Sequence, residues 1–557
     1  MAIAPRYDGR MRKTRDLQQT DLFDPWAFLG EKRRRLLEGS WAGVFRDHLL
    51  EQLPIGKFAE PISSGMGRPT KDLHVACGVL ILQQLHDLTD AGTVEALAFN
   101  IAWHYALDIR DEGDAYLCEK TLRNYRRLVI DHELDQLLFA ELTDQLIKAF
   151  NVVTDKQRLD STAICSAMRS LTRLGVVVES ISKFVRELSR VHPQLYQDVD
   201  RELIRRHVER TGEGCFADTK PSESKRRLPE AGEDLLRLFL QFEKTEAAEL
   251  ESFVILDRVL HEQFEVVRDD SPNDSNDDDE AAAPTLLIKE PKDIPCDNVR
   301  NPADPDSSYN KHRGQGYMVQ IMETFAQDDG DDAPAPCPDL ITHVAMNKMT
   351  VHDGHRLAPA IEDVRQRQVQ PQQLLADTHY GSNQNMREMT EQGITLVSPA
   401  MSAKGSQQGQ LTLEQFELDD QGLIIRCPAG HEPTSTGRGK EKLQARFDAA
   451  TCRSCPLLSQ CLVRTGLETD DSQCNESVRF QYTHERVAMR QRRLKDQTPQ
   501  FKKVYRWRAG IEATMSRLKH QMHLVALRVR GWKAVGCRVM LRALGLNIHR
   551  CAAFLGR

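Results

Sequence analysis

No apolar run in these 557 residues reaches membrane-spanning length before a charge interrupts it, so a membrane role is not expected. The opening residues, MAIAPRYDGRMRKTRD, carry charge and lack an apolar centre, and so do not read as a signal peptide. The thirteen cysteines are odd in number and lack the spacing of a small disulfide scaffold. A reducing cytoplasm is the expected compartment. Acidic residues are scarce in one place: from His484 to Arg557 there are 3 Asp and Glu against 18 Lys and Arg. A tail with that imbalance is expected to meet phosphate. The net charge of -7 conceals it, because the acids gather elsewhere. They form the run Asp269–Glu280, DDSPNDSNDDDE, which reads as a disordered linker or loop tip, and the patch DDGDD at 328–332.

What is present describes a soluble globular chain of three or four domains, with 40% hydrophobic and 28% charged residues. Residues 1–60 read as a short helical lead-in, closed by the turn GMGRPT at 65–70. Residues 61–150 are helical by periodicity and contain a basic helix, CEKTLRNYRR, carrying Arg123, Arg126 and Arg127. Such a helix suits a DNA backbone, although most three-helix segments are not DNA readers. A strand is expected from Val152 through LDSTAI, with Asp160 on it or at its end. Residues 166–304 form a helical excursion with a Gly- and Lys/Arg-rich loop at 211–227. Strands are then expected at 309–325 and 340–346, a helix at 355–366 capped by Asp353, a strand ending at Ala376, a helix at 383–392 and a strand at 394–398. Asp377 follows the strand at Ala376 directly. This order predicts an α/β sheet. Residues 401–483 are a small cysteine-rich insertion. Within it Cys427, Cys452, Cys455 and Cys461 suit a tetrahedral thiolate zinc site, with His431 or Cys474 as substitute ligands. The alternative is four reduced cysteines in a loop-rich unit.

The stretch Tyr505 to Lys519, YRWRAGIEATMSRLK, completes the pattern. On one α-helix Tyr505, Arg508, Glu512 and Lys519 share an arc of roughly 60°, beside an apolar stripe of Val504, Ile511, Met515, Leu518 and Met522. A Glu among cations is ordinarily a solvated ion-pair ladder. The other reading makes Glu512 a metal ligand whose basic neighbours grip a polyanion. If the strands bearing Asp160 and Asp377 are neighbours, three carboxylates converge and require divalent cations between them.

These residues resemble the DDE transposases of bacterial insertion sequences, in the branch marked by Tyr-x2-Arg-x3-Glu-x6-Lys. Tyr505, Arg508, Glu512 and Lys519 reproduce that spacing, LDST at 159–162 resembles the first-Asp motif, and ADTHYGS at 376–382 the second. The segment SGMGRPTKDLHVACGVLILQQL is similar to the helical N-terminal domain of such proteins. The resemblance implies a ribonuclease H-like core assembled from 151–165, 305–400 and 484–557. It implies Mg²⁺- or Mn²⁺-dependent cleavage and strand transfer, with Asp160, Asp377 and Glu512 as metal ligands and Tyr505, Arg508 and Lys519 on end phosphates. The implied partners are double-stranded DNA, at transposon ends and target, and a second copy when assembled on DNA. A nuclease without strand transfer, or a domesticated DNA-binding protein, are the alternatives. The long excursion after Asp160 and the Thr-His pair after Asp377 depart from the family pattern.

Overall fold

The computed structural model describes residues 12–18, 24–63, 69–210, 221–267, 284–326, 335–403, 406–463, 476–525 and 527–556. The acidic stretches Asp269–Glu280 and 328–332, residues 211–220, the turn residues 65–68 and Cys474 lie outside them.

Helices come first, as the periodicity predicts. Helix α1 (Leu73–Leu85) starts where the Asp72 carboxylate accepts from the His74 and Val75 amides, and nearly all of its residues are buried. Helices α2 (Glu119–Asp131) and α3 (Leu134–Ala149) follow. Strand β1 (Lys156–Cys165) begins later and runs further than the apolar pattern suggests, so Asp160 lies in its middle. The excursion contains α4 (Arg173–Val191), α5 (Pro221–Phe242), α6 (Glu251–Gln263) and a hairpin of Phe264–Val267 with Thr285–Ile288. It has its own core, built on Phe184, Leu235, Phe242 and Leu256.

The chain re-enters the sheet at β2 (Ser308–Asn310) and β3 (Gly314–Thr324). The single strand expected over 309–325 is divided by a tight turn, which Gly314 completes at φ +83°. Strand β4 (Ile341–Lys348) pairs with β3. A 3₁₀ turn at Asp353–Arg356 leads into α7 (Leu357–Gln366), and its cap is the His352 ring, accepting from the Gly354 amide, rather than Asp353. Then come β5 (Gln373–Ala376), α8 (Asn383–Glu391) and β6 (Thr395–Val397). The sheet runs β2-β3-β1-β5-β6, with β4 also on β3. Strand β1 is antiparallel to β3 and parallel to β5.

The cysteine-rich unit is built on an antiparallel sheet of β7 (Ser435–Arg438), β8 (Lys442–Asp448) and β9 (Ser477–Thr483), packed around Leu443, Phe447, Phe480 and Tyr482. Helices α9 (His484–Asp496), α10 (Pro499–Tyr505), α11 (Gly510–His520) and α12 (Trp532–Leu555) complete the chain. The stretch from Tyr505 to Lys519 is therefore not one α-helix: a 3₁₀ turn at Arg506–Ala509 separates α10 from α11.

Both faces of the sheet are covered, which makes this an α/β fold. On one face Ile164, Val319 and Ile321 join a single core with the N-terminal helices, α11 and α12. On the other, Leu159, Met322, Leu374 and Ala376 pack against Leu357, Ile361 and Met389 of α7 and α8. Ile511, Met515, Leu518 and Met522 are buried as the stripe predicts, with Val504 half-buried.

Candidate active site

Register places the first two acids. In the parallel pair Leu159 lies beside Ala376, so the next residues on the two strands are Asp160 and Asp377. Side chains alternate faces along a strand, and Leu159 and Ala376 both point toward α7 and α8. Asp160 and Asp377 therefore turn to the opposite face, the one on which α11 packs.

Helix α11 supplies the third acid through Arg508. The Arg508 Nη2 donates to Asp160 Oδ2 at 2.5 Å, and its Nη1 donates to Glu512 Oε1 at 3.0 Å. One guanidinium thus spans two acids that lie 352 residues apart in sequence. Asp160 keeps only 16% of its side chain exposed, whereas Glu512 keeps 67%. Burial raises the Asp160 carboxyl above its ordinary range; Arg508 and the Ser161 amide pull it down, and the charges of Asp377 and Asp353 push it up again. Burial disfavours the Arg508 cation, but Asp160, the Tyr505 oxygen, Asp377 and Glu512 together hold its pKa above the usual value. Three acids therefore act on one cation.

The floor of the site is ordered. Asp377 Oδ1 accepts from the His379 amide at 2.6 Å, capping a 3₁₀ turn at Thr378–Tyr380. The Tyr380 hydroxyl, fully buried, is bonded to Ser161 Oγ at 2.7 Å and accepts from Gln320 Nε2 at 3.0 Å, which fastens that turn to β1 and β3. Asn385 donates to the carbonyls of Tyr380 and Gly354 at 2.9 and 3.0 Å, joining the Asp377 turn to the one that begins at Asp353. Asp353 is the acid that sequence reading gave a capping role; no motif marks it, and its nearness to Asp160 depends on the packing of two turns. Tyr505 is half-buried, and its phenol pKa is raised by burial, with Arg508 opposing. Lys519 lies half-buried in the last turn of α11.

The donors are all carboxylate oxygens, which suit hard divalent ions such as Mg²⁺ or Mn²⁺. Among the described residues, no three His, Cys, Asp or Glu side chains stand close enough to hold an ion as placed. Arg508 is the cation paired with Asp160 and Glu512.

Elsewhere, Cys427, Cys452, Cys455 and Cys461 line one cavity of about 170 Å³, together with His431. All four are free thiols. Burial, followed by the mutual influence of Cys461, Cys427 and Cys455, pushes the Cys452 thiol up to about 11. On α2, Arg123 and Arg127 are exposed, whereas Arg126 is half-buried and paired with Asp90.

Residues 426–552 match the family described as transposase DDE domain, and residues 43–128 match the one described as transposase domain (DUF772). The chain carries the domains of a DDE transposase. The DDE-domain match takes in the cysteine unit from Arg426 onward, α9 to α11 with Glu512, and most of α12; β1 with Asp160 and β5 with the Asp377 that follows it precede the match. The second match covers α1 and most of α2. No curated protein and no solved structure matches the chain. A mixed sheet covered by helices, with a helical N-terminal region, is consistent with the ribonuclease H-like core of this transposase family. Among the described residues no helix is long and apolar enough to cross a membrane.

Proposed function

We propose that this chain cuts DNA at the inverted terminal repeats of an insertion sequence and joins the freed 3′ ends to target DNA. The observation that carries this reading is the convergence of Asp160, Asp377 and Glu512 on Arg508, with the first two brought together by strand register. Asp160, Asp377 and Glu512 would hold Mg²⁺ or Mn²⁺, which when bound would supply activation of the attacking oxygen and stabilisation of the leaving oxygen of a phosphodiester. The desolvated Asp160 favours a cation beside it, and Arg508 supplies one. From that position Arg508 would also hold a phosphate within reach of the same acids. Tyr505 and Lys519 extend that grip along the backbone, reading charge rather than base identity. Arg123 and Arg127 on the exposed side of α2 would contact the transposon end, and Arg126 would serve packing through Asp90. Two copies would act together, one on each end.

The cysteine unit would hold one structural Zn²⁺ on Cys427, Cys452, Cys455 and Cys461. Four thiols around one cavity support that reading: burial and then neighbouring thiols raise Cys452 and Cys461, a penalty that a bound cation reverses.

The test uses duplexes taken from the two ends of the DNA element that encodes the chain. Asp160→Asn, Asp377→Asn and Glu512→Gln should each abolish Mg²⁺-dependent nicking while leaving duplex binding largely intact. A variant that nicks at the parent rate removes its residue from the set, and nicked products that are never joined to target DNA would favour a nuclease.

A further inference from the structure

Beneath α11 lies a buried ionic cluster that the cutting reaction as described does not use. Arg158 and Glu323 face each other across β1 and β3. Glu323 is fully buried and accepts from Arg158 Nε at 2.7 Å, Thr514 Oγ1 at 2.6 Å and Arg550 Nη1 at 2.9 Å. Arg158 Nη1 donates to the Trp507 carbonyl at 3.0 Å, in the 3₁₀ turn that carries Arg508. Its guanidinium sits over the Phe325 ring at 5.7 Å, and Trp507 stacks on the same ring at 6.4 Å. Arg550 also donates to the Thr514 hydroxyl. The cluster therefore grips the α11 segment at two points, residue 507 before Glu512 and residue 514 after it.

We infer that Arg158 and Glu323 are positioning residues, which set the rotation and advance of α11 so that Arg508 and Glu512 face Asp160. Two residues beyond Glu512, Thr514 lies about 200° around the helix, so fastening its hydroxyl to Glu323 fixes the direction in which Glu512 points and keeps it within reach of Arg508. Arg158 is two residues from Asp160 on the same strand and the same face, about 6.6 Å away along it. One strand therefore carries the first acid and the anchor for the third. An apolar core beneath α11 would stabilise as well as a buried ion pair does, but it would not fix register. Directional bonds from a charged centre to one carbonyl and one hydroxyl do fix it.

This inference rests on the proposed cutting site, and the experiment separates the two. In the full chain, Thr514→Val removes the hydroxyl at nearly constant volume and Thr514→Ser keeps it. Three quantities are measured: hydrogen exchange of amides 507–515, Mn²⁺ affinity by electron paramagnetic resonance with Mn²⁺ alone, and nicking of the end duplexes. Thr514→Val should speed exchange and weaken Mn²⁺ binding about tenfold, and lower kcat for nicking by a similar factor at unchanged KM for DNA. Thr514→Ser should restore all three. Arg158→Lys, which keeps the charge but loses the fork, should resemble Thr514→Val. Exchange at 507–515 unchanged in Thr514→Val, or a serine variant as impaired as the valine one, overturns the positioning role. If Glu512→Gln nicks like the parent, the cutting site is misassigned, while the exchange data still decide whether the cluster sets the helix.

Discussion

Gly510 opens α11 with an ordinary helical backbone, so conformational freedom does not explain a glycine there. Space does. A Cβ at this position would stand 2.0 Å from Arg158 Nη1, 2.5 Å from its Cζ and 2.8 Å from Nη2. The far end of an arginine ordinarily yields, but this one is 8% exposed, paired with Glu323 and Asp339, and bonded to the Trp507 carbonyl. In Gly510→Ala, two effects oppose each other. Helix propensity favours alanine by at most about 1 kcal/mol. Overpacking costs about 1–3 kcal/mol, and loss of a charged hydrogen bond to the carbonyl costs about 1.5–3 kcal/mol. The expected balance is destabilisation on the order of 2 kcal/mol, concentrated at the start of α11. Hydrogen exchange of amides 510–518 isolates that local opening from unfolding elsewhere in a chain of several cores. In an Arg158→Met background the clash disappears, and the same alanine should be neutral or stabilising. Equal stability of Gly510→Ala and parent, or an equal cost in both backgrounds, refutes the steric argument.

Asp135 is 6% exposed, and burial lifts its carboxyl to about 6. The folded state then holds a proton that the unfolded chain releases above pH 4, so this contribution is full below that pH and lost as pH rises through 6. Asp135→Asn should match the parent below pH 4 and exceed it by up to about 3 kcal/mol at pH 8, in urea titrations across pH. Burial, with His549 adding to it, depresses His86 to about 4, the opposite sign. Its contribution is present above pH 6.5 and should fall away between 6.5 and 4, an effect absent from His86→Phe in the same titrations. Purified protein should contain about one zinc per chain by metal analysis, lost in a Cys452→Ser, Cys455→Ser double variant. Lys519→Ala should weaken DNA binding about equally across sequences and lower the salt slope of binding by roughly one, whereas loss of sequence preference at an unchanged slope would contradict its phosphate role.

The elements that local pattern specifies were legible beforehand. The strand ending at Ala376, the helix at 383–391 and the following strand each announce themselves through a short apolar run or a periodic face, and Asp377 falls where the strand stops. The buried stripe on α11 was legible for the same reason. What escaped depends on contacts across hundreds of residues. The 3₁₀ turn at 506–509 interrupts a stretch whose composition is helical throughout; there Arg158 takes the Trp507 carbonyl and Arg508 reaches Asp160, bonds that no local window contains. Asp353 precedes a helix, as caps do, yet the neighbouring His352 performs the capping. The union of the N-terminal helices with α12 in one core is likewise invisible to periodicity, which names a buried face without naming what covers it.

The excursion leaves the sheet at Cys165 and returns to it at Ser308, two residues that pair with Gly316 from opposite sides of β3, and the Ser166 amide still bonds to the Gln315 carbonyl. Topologically, β1 and β3 are the two arms of one hairpin, with a whole helical unit and the short strand β2 in place of its turn. Closing a floppy loop of roughly 150 residues instead of a handful costs about 3 kcal/mol of chain entropy. A segment with its own core that presents its two ends on either side of one strand avoids most of that cost. To the sheet it is one large turn, and its interior can change sequence, length or even fold without disturbing the register that brings Asp160 level with Asp377.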